Sequence, residues 1–169
     1  MSLFTDAADV SVRPAIPGDD AAVTDIQVAA WRTAHKQVLG AEVLELLDLS
    51  RMREQWAQAI TAPPGPGFAV LVALDAARIV GFAAVAPGQL VALEVLPEFQ
   101  RSGHGSRLLS AAVDRLRQDG ADEVAAWVME QDSARESFLA GAGLGPDGRV
   151  RTLAAGPREV REARWSATL

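Results

Sequence analysis

The sequence has no cysteine and no tyrosine, and Lys36 is its only lysine. Without cysteine, the chain can form no disulfide, no thiolate zinc site and no cysteine nucleophile. A Walker A phosphate loop requires the run G-x-x-x-x-G-K-[ST], and the surroundings of Lys36 do not supply it. These absences exclude a disulfide, a thiolate zinc site, a cysteine nucleophile and a Walker A loop before any motif that is present is considered.

Long apolar runs and basic charge are also scarce. The longest apolar run, FAVLVAL, is far too short to cross a bilayer, and the opening MSLFTDAADV lacks the basic n-region of a signal peptide. The net charge is −6, which provides no basic face for nucleic acid. An acidic chain would suit a cationic substrate, but such charge also serves solubility alone. We therefore expect a cytoplasmic protein that binds neither membranes nor nucleic acid.

The composition is that of a globular chain. Its 169 residues are 49% hydrophobic and 22% charged, which is enough to bury a sizeable core. No repeat, linker or low-complexity segment divides the sequence. We predict a single domain over residues 1–169, with residues 1–9 as a flexible terminus.

Strand and helix patterns alternate along the chain. We expect Asp19 or Asp20 to cap the first helix. Apolar alternation predicts the strands VSVRPA, FAVLVALD, RIVGFAAVA, QLVALEVLP, DEVAAWVME, RVRTLAAG and REVREARWSATL. Helical spacing predicts helices in PGDDAAVTDIQVAAWRTAH, AEVLELLDLS, RMREQWAQAI and DSARESFLAGAG, and in the segment after residue 106. This order predicts an α+β fold with a strand–loop–helix–strand unit at its centre.

The glycine loop, residues 100–106 (QRSGHGS), joins the third central strand to a helix. The first N–H groups of a helix lack partners, and together with the helix dipole they favour an anion. Gly103 and Gly105 allow a phosphate to approach the backbone, and Arg101 and Arg107 add positive charge. A G-x-G pair also occurs in tight turns that bind nothing, so the pattern alone leaves both interpretations open.

The segment VLPEFQRSGHG resembles the acyl-CoA signature of the GNAT superfamily of N-acyltransferases. That signature reads [QR]-x-x-G-x-[GA], and here it runs from Gln100 to Gly105, preceded by V-x-P at residues 95–97. The segments VRPAIPGDDAAVTDI, AAWRTAHKQVLGAEVLELLD and VMEQDSARESFLAGAGL, and the terminal VREARWSATL, also resemble parts of the family. The resemblance therefore extends over most of the chain.

The resemblance implies a mixed, mostly antiparallel sheet of about six to seven strands with flanking helices and a V-shaped splay between the two central strands. It implies acetyl-CoA, or another short acyl-CoA, as co-substrate, with no metal. The amine of a small molecule or peptide would attack the thioester directly. The resemblance also implies a bacterial enzyme, and it is compatible with a homodimer. The cofactor-binding residues that it implies are Leu93, Val95, Gln100, Arg101, Ser102, Gly103, His104, Gly105, Ser106 and Asp132.

Direct attack requires a base, because an alkyl amine has a pKa near 10.4 and arrives mostly as ammonium. Glu94 is the only charge within LVALEVL, and strand alternation places it opposite Leu93 and Val95. We predict Glu94 as the catalytic base, with His35 as the alternative because histidine titrates near neutrality. Glu130, near the end of the next strand, is a weaker carboxylate candidate. Glu94 is equally compatible with a solvent-facing or ion-paired role, and His35 with a structural one.

Three positions depart from the family pattern. Asp132 stands where asparagine is frequent, Leu144 ends a segment that usually closes in GF, and Leu139 stands where tyrosine usually protonates the departing thiolate. A thiol pKa of about 8.5 would let the thiolate leave without a proton at modest cost. The predicted function is N-acetyl transfer from acetyl-CoA to a primary amine. The alternative is a weak or inactive acyl-CoA-binding regulatory module.

Overall fold

The structure is a computed structural model that describes residues 10–169. Its strands are β1 (Val10–Pro14), β2 (Ala69–Asp75), β3 (Arg78–Ala86), β4 (Gln89–Val95), β5 (Glu123–Met129), β6 (Gly145–Ala155) and β7 (Arg158–Thr168). Its helices are α1 (Asp20–Ala34), α2 (Lys36–Leu39), α3 (Ala41–Glu45), α4 (Leu49–Thr61), α5 (His104–Gln118) and α6 (Ser133–Gly141). The terminus expected at residues 1–9 lies outside the described residues.

The seven strands form one sheet in the order β1-β2-β3-β4-β5-β7-β6. All neighbouring strands are antiparallel except β4 and β5, which are parallel. The α+β prediction of a mostly antiparallel sheet of six to seven strands is confirmed.

The parallel pair separates almost as soon as it forms. Its only register partners are Gln89 and Ala125, where the Ala125 amide donates to Gly88 O at 3.0 Å. Beyond that point residues 90–95 of β4 and residues 126–129 of β5 have no ladder between them, which leaves an opening that we call the β4–β5 gap. This is the predicted V-shaped splay between the two central strands.

A bulge accompanies the splay on the other side of β4. Val85 pairs with Leu90 and Ala84 pairs with Ala92, so Val91 is an extra residue without a partner in β3. Bulges bend a strand and increase its local twist. Val91 is 59% exposed, as expected of a residue that leaves the ladder where the gap opens.

The two faces of the sheet bury separate cores. Helices α5 and α6 cover one face, where Leu93 and Val95 pack with Leu108, Leu116 and Leu139. Helices α1 and α4 cover the other, in a cluster made of Val23, Ile26, Val72 and Phe82, against which Ala92 and Leu96 pack. The alternation of β4 therefore places Glu94 on the α1 face, because its side chain shares a face with Ala92 and Leu96.

Helix α1 begins without the predicted carboxylate cap. Asp19 is at the N-cap position, but its carboxylate accepts hydrogen bonds from the Ile16 amide at 2.8 Å and from Arg13 at 2.7 Å. Asp20 pairs with Arg53 of α4 at 2.7 Å. Both carboxylates form ion pairs with arginines, and neither caps the helix. Within residues 10–169, no helix has the length and apolar character needed to span a membrane.

Candidate active site

The glycine loop turns sharply to begin α5. Gly103 is the N-cap residue and has φ +89°, a left-handed conformation that glycine adopts without steric cost. A side chain at this position would also collide with the Arg107 guanidinium. Arg101 is left-handed too, with φ +62°. The chain therefore needs the first glycine of the motif for the turn itself.

The amides of the glycine loop are free to bind an anion. Those of residues 101–106 donate to no protein acceptor in the part of the chain that the structure describes. The Gln100 amide is partly engaged, because it donates to Pro97 O at 3.3 Å, and the Gln100 side chain donates to Val95 O at 3.1 Å. Gln100 thus holds the loop against the end of β4. The free donors begin at Arg101, at the positive end of a fifteen-residue helix.

His104 lies at the start of α5, within the glycine loop. Its side chain is only 2% exposed, it lies edge-on to Phe99, and its Nδ1 has no partner within residues 10–169. The imidazole is therefore part of the packing beneath the loop. Only the backbone amide of His104 remains available to a ligand.

A groove runs from the glycine loop between α5 and α6. Its lining is mixed, with Ser106, Ser110 and Ser137 beside Phe138 and Leu109. A Cβ built on Gly105 would lie 3.5 Å from Phe138, in van der Waals contact. A side chain larger than a methyl group at this position would meet Phe138, which lines the groove.

The backbone of β4 faces the gap at two of the predicted residues. The Leu96 amide donates to Val80 O at 2.8 Å, so this residue points toward β3. Since backbone groups alternate along a strand, those of Leu93 and Val95 point the other way, toward β5. β5 offers no register partner to either residue. An extended polar ligand could pair with this edge as a strand would.

Glu94 lies across the gap from α6, in an ion pair with Arg135. The distance from Arg135 Nη2 to Glu94 Oε1 is 3.1 Å, and the two side chains are 22% and 15% exposed. Burial raises the pKa of Glu94, while the Arg135 charge acts against that rise. Asp132 adds a further raising effect. The carboxylate is thus poised to gain a proton more readily than an exposed glutamate.

His35 lies at the end of α1 and belongs to the same cluster of charges. It is 7% exposed, and burial lowers its pKa. The charges of Asp132, Arg135 and Glu162 also act on it. The structure therefore brings both predicted bases to one region. Glu130 does not share this environment, because its side chain is 47% exposed and lies 3.5 Å from Arg161.

Asp132 contributes to the start of α6. Its carboxylate accepts a hydrogen bond from the Arg135 amide at 3.1 Å and caps that helix. Leu139, one turn beyond Arg135, is fully buried in the core. An aliphatic side chain therefore occupies the position at which the family usually has tyrosine.

Arg135 and Glu162 belong to this charge cluster but were not predicted from the sequence. Both are ordinary charged residues in their local patterns, a short helix and a C-terminal strand, and neither belongs to a recognisable motif. Glu162 is 8% exposed and pairs with Arg151 at 2.5 Å. One available signal was the lone carboxylate of β4 together with the charged residues at the start of the helix after β5, which a splayed sheet would bring together.

The comparisons with known proteins agree on one family. The sequence model of the Acetyltransferase (GNAT) family matches residues 24–143, well over half of the chain. The uncharacterized N-acetyltransferase YuaI of Bacillus subtilis (strain 168) is 29% identical over 133 residues, which are 73% of each chain.

Solved structures share the fold. The PaiA N-acetyltransferase of Thermoplasma acidophilum, in complex with coenzyme A, superposes with a TM-score of 0.77 at 17% identity, over 95% of this chain and 99% of that one. The yncA protein of Salmonella typhimurium, with acetyl-CoA, has a TM-score of 0.67 at 20% identity, over 95% and 94%. At such identities the likeness shows the fold alone.

Proposed function

The chain belongs to the GNAT acetyltransferase family, and from that premise we propose that it transfers an acetyl group from acetyl-CoA directly to a primary amine of a small molecule or peptide. The observation that carries the proposal is the row of free amides at residues 101–106, which opens α5 at the mouth of the β4–β5 gap. In this proposal the whole chain, residues 1–169, acts as one domain.

The residues present fit an acyl-CoA. Free amides, a helix N-terminus and Arg101 supply donors and charge for a pyrophosphate. The open edge of β4 supplies the backbone groups of Leu93 and the amide of Val95 as partners for the amide-containing arm of CoA, since Val95 O is engaged by Gln100. Asp132 lies beside this path at the start of α6. Acetyl-CoA supplies an activated acyl group, and the protein positions it.

Glu94 is the base in this proposal. It lies on the α1 face of the gap, where an acceptor would approach, and its raised pKa makes it a better proton acceptor than an exposed carboxylate. His35 is the alternative, since it lies in the same charge cluster and burial keeps it neutral by lowering its pKa. A main-chain N–H of β4 is the natural donor for the thioester oxygen.

The test is a panel of amines supplied with acetyl-CoA, followed by release of the free thiol and by mass change of the amine. We expect acetylation of at least one primary amine, with no acetyl group left on the protein. A parallel titration by calorimetry should show binding of CoA. Binding without turnover of any amine would contradict the proposed transfer, and absence of CoA binding would contradict the cofactor site as well.

A further inference from the structure

Arg135 is the cation that the structure adds to the gap. It extends from α6, which packs on the α5 face, to Glu94, whose strand neighbours pack on the α1 side. Its side chain therefore spans the space between β4 and β5. Apart from the contact with Glu94, the Arg135 guanidinium has no hydrogen-bond or ion-pair partner within residues 10–169. Most of its five donors remain available to a ligand.

Distance places this guanidinium near the reacting atoms. A base must lie about 3 Å from the amine nitrogen, or one water away, and that nitrogen about 3.5 Å from the thioester carbon. The sulfur is bonded to the same carbon. Because Arg135 Nη2 is 3.1 Å from Glu94 Oε1, the guanidinium adjoins the proposed base and lies in the same part of the gap as the reacting groups.

We propose that Arg135 is a catalytic residue that stabilises the departing CoA thiolate, a contribution that rests on the proposed function. The amine enters this step neutral, after its ammonium proton has passed to solvent water. Its nitrogen bonds to the thioester carbon, the C–S bond breaks, and the electron pair of that bond remains on sulfur beside the guanidinium. The amine proton goes to Glu94. The products are an amide, a thiolate paired with Arg135 and a protonated Glu94, so no protein acid is consumed.

This assignment explains how the site can work without a tyrosine. Leu139, which replaces the usual tyrosine, is buried in the core, and the chain has no tyrosine whose phenol could protonate the sulfur. A guanidinium remains charged throughout the physiological range, so it can neutralise a thiolate although it cannot donate its proton outright. The missing acid is replaced by a fixed positive charge.

Other charges around Arg135 must be considered in any pH experiment. Glu94 faces it from β4, and Asp132 lies at the start of the same helix. His35, at the end of α1, is acted on by the charges of Arg135, Asp132 and Glu162. Burial lowers the pKa of His35, so the imidazole is neutral in the alkaline range where a thiol ionises. The chain's lack of tyrosine and cysteine means that no protein phenol or thiol titrates there.

The experiment measures the thiol pKa of bound CoA from the ultraviolet absorbance of its thiolate, in the wild type and in Arg135→Gln. We expect the wild type to hold that pKa lower by about one unit, equivalent to a tenfold preference for the thiolate. Arg135→Lys should retain part of the shift. Desulfo-CoA, which lacks the sulfur, should bind both proteins equally. Arg117→Gln removes an exposed arginine of α5 and should change nothing.

The same comparison in a Glu94→Gln background separates direct from indirect action. If Arg135 acts on sulfur, the Arg135→Gln shift persists there. An equal thiol pKa in wild type and Arg135→Gln, or a shift that vanishes when Glu94 is neutral, would overturn this assignment alone. Failure of the wild type to bind CoA would overturn both this assignment and the proposed function.

Discussion

Glu94 and His35 are two buried groups whose pKa values move toward each other. Burial raises the pKa of Glu94 above its ordinary 4.5 and lowers that of His35 below its ordinary 6.5. Either group, acting as base, would make activity fall as the pH drops through this interval. The position of the acidic limb therefore does not identify the base, and a substitution is needed.

Replacing Glu94 by glutamine should lower kcat/KM for an amine by about 10²–10⁴-fold, because the amine proton then has no nearby carboxylate to accept it. The acidic limb of the pH profile should disappear with the carboxylate. Affinity for acetyl-CoA should change little, since Glu94 faces the α1 side of the gap. Steady-state kinetics over a pH series, with calorimetry for the cofactor, measure both effects.

The matched control for Glu94 is Glu54→Gln on the exposed side of α4, which should leave the kinetics unaltered. Full activity of Glu94→Gln with an unchanged acidic limb would mean that the carboxylate is structural. His35→Gln would then be the next variant to measure.

At the scale of elements, the start of α5 is defined by two glycines with different tasks. Gly103 provides a left-handed turn, and Gly105 lies in the helix against Phe138. The turn leaves a row of amides without protein acceptors among the described residues, and Gly105 places no side chain against Phe138. Gly103 thus supplies the backbone conformation of the turn, and Gly105 supplies a position without a side chain next to Phe138.

Gly103→Val and Gly105→Val should each weaken CoA binding by about tenfold or more, because each costs at least one charge-assisted hydrogen bond to phosphate. The first strains the turn, and the second places a branched side chain beside the groove. Calorimetric titration with CoA measures the loss in variants whose circular dichroism shows that they remain folded.

Gly120→Val is the control for backbone strain. Gly120 also has a positive φ, of +85°, but it lies beyond the other end of α5, with open space around its Cβ position. This variant should lose stability yet keep its CoA affinity. Unaltered affinity in both Gly103→Val and Gly105→Val would contradict the phosphate site.

At the scale of the whole molecule, the two buried groups affect stability in opposite directions. The folded-state pKa of His35 is depressed, so the unfolded chain takes up its proton first as the pH falls below 6.5, and stability is lost. The folded-state pKa of Glu94 is raised, so the folded chain takes up a proton first, and stability is gained as the pH falls toward 4.5. In the wild type these changes partly cancel.

Substitution should separate the two contributions. Between about pH 7.5 and about pH 5, the free energy of unfolding of Glu94→Gln should fall more steeply than that of the wild type, by at most about 1.4 kcal/mol per pH unit. His35→Gln should show the opposite trend. Urea unfolding at several pH values provides both curves, and parallel curves for the two variants would contradict the pKa directions.

The sequence by itself determined the elements and the glycine loop. Alternation in QLVALEVLP placed Glu94 opposite Leu93 and Val95, and the structure has them on different faces of β4. The mostly antiparallel sheet was expected only from the resemblance to the GNAT family, whereas the loop and the helix after it were predictable from the residues themselves. These features depend on neighbouring residues, since strand alternation, helix periodicity and the freedom of glycine are local properties of the chain.

Only the tertiary structure decided which side chains meet. Arg135 reaches Glu94 because β4 and β5 separate after a single register pair, and no spacing in the sequence encodes that approach. His104 lies beneath its loop because α5 packs on the sheet, and its place in the motif did not reveal that burial. Contacts between distant segments depend on how whole elements pack, and local pattern carries no information about that packing.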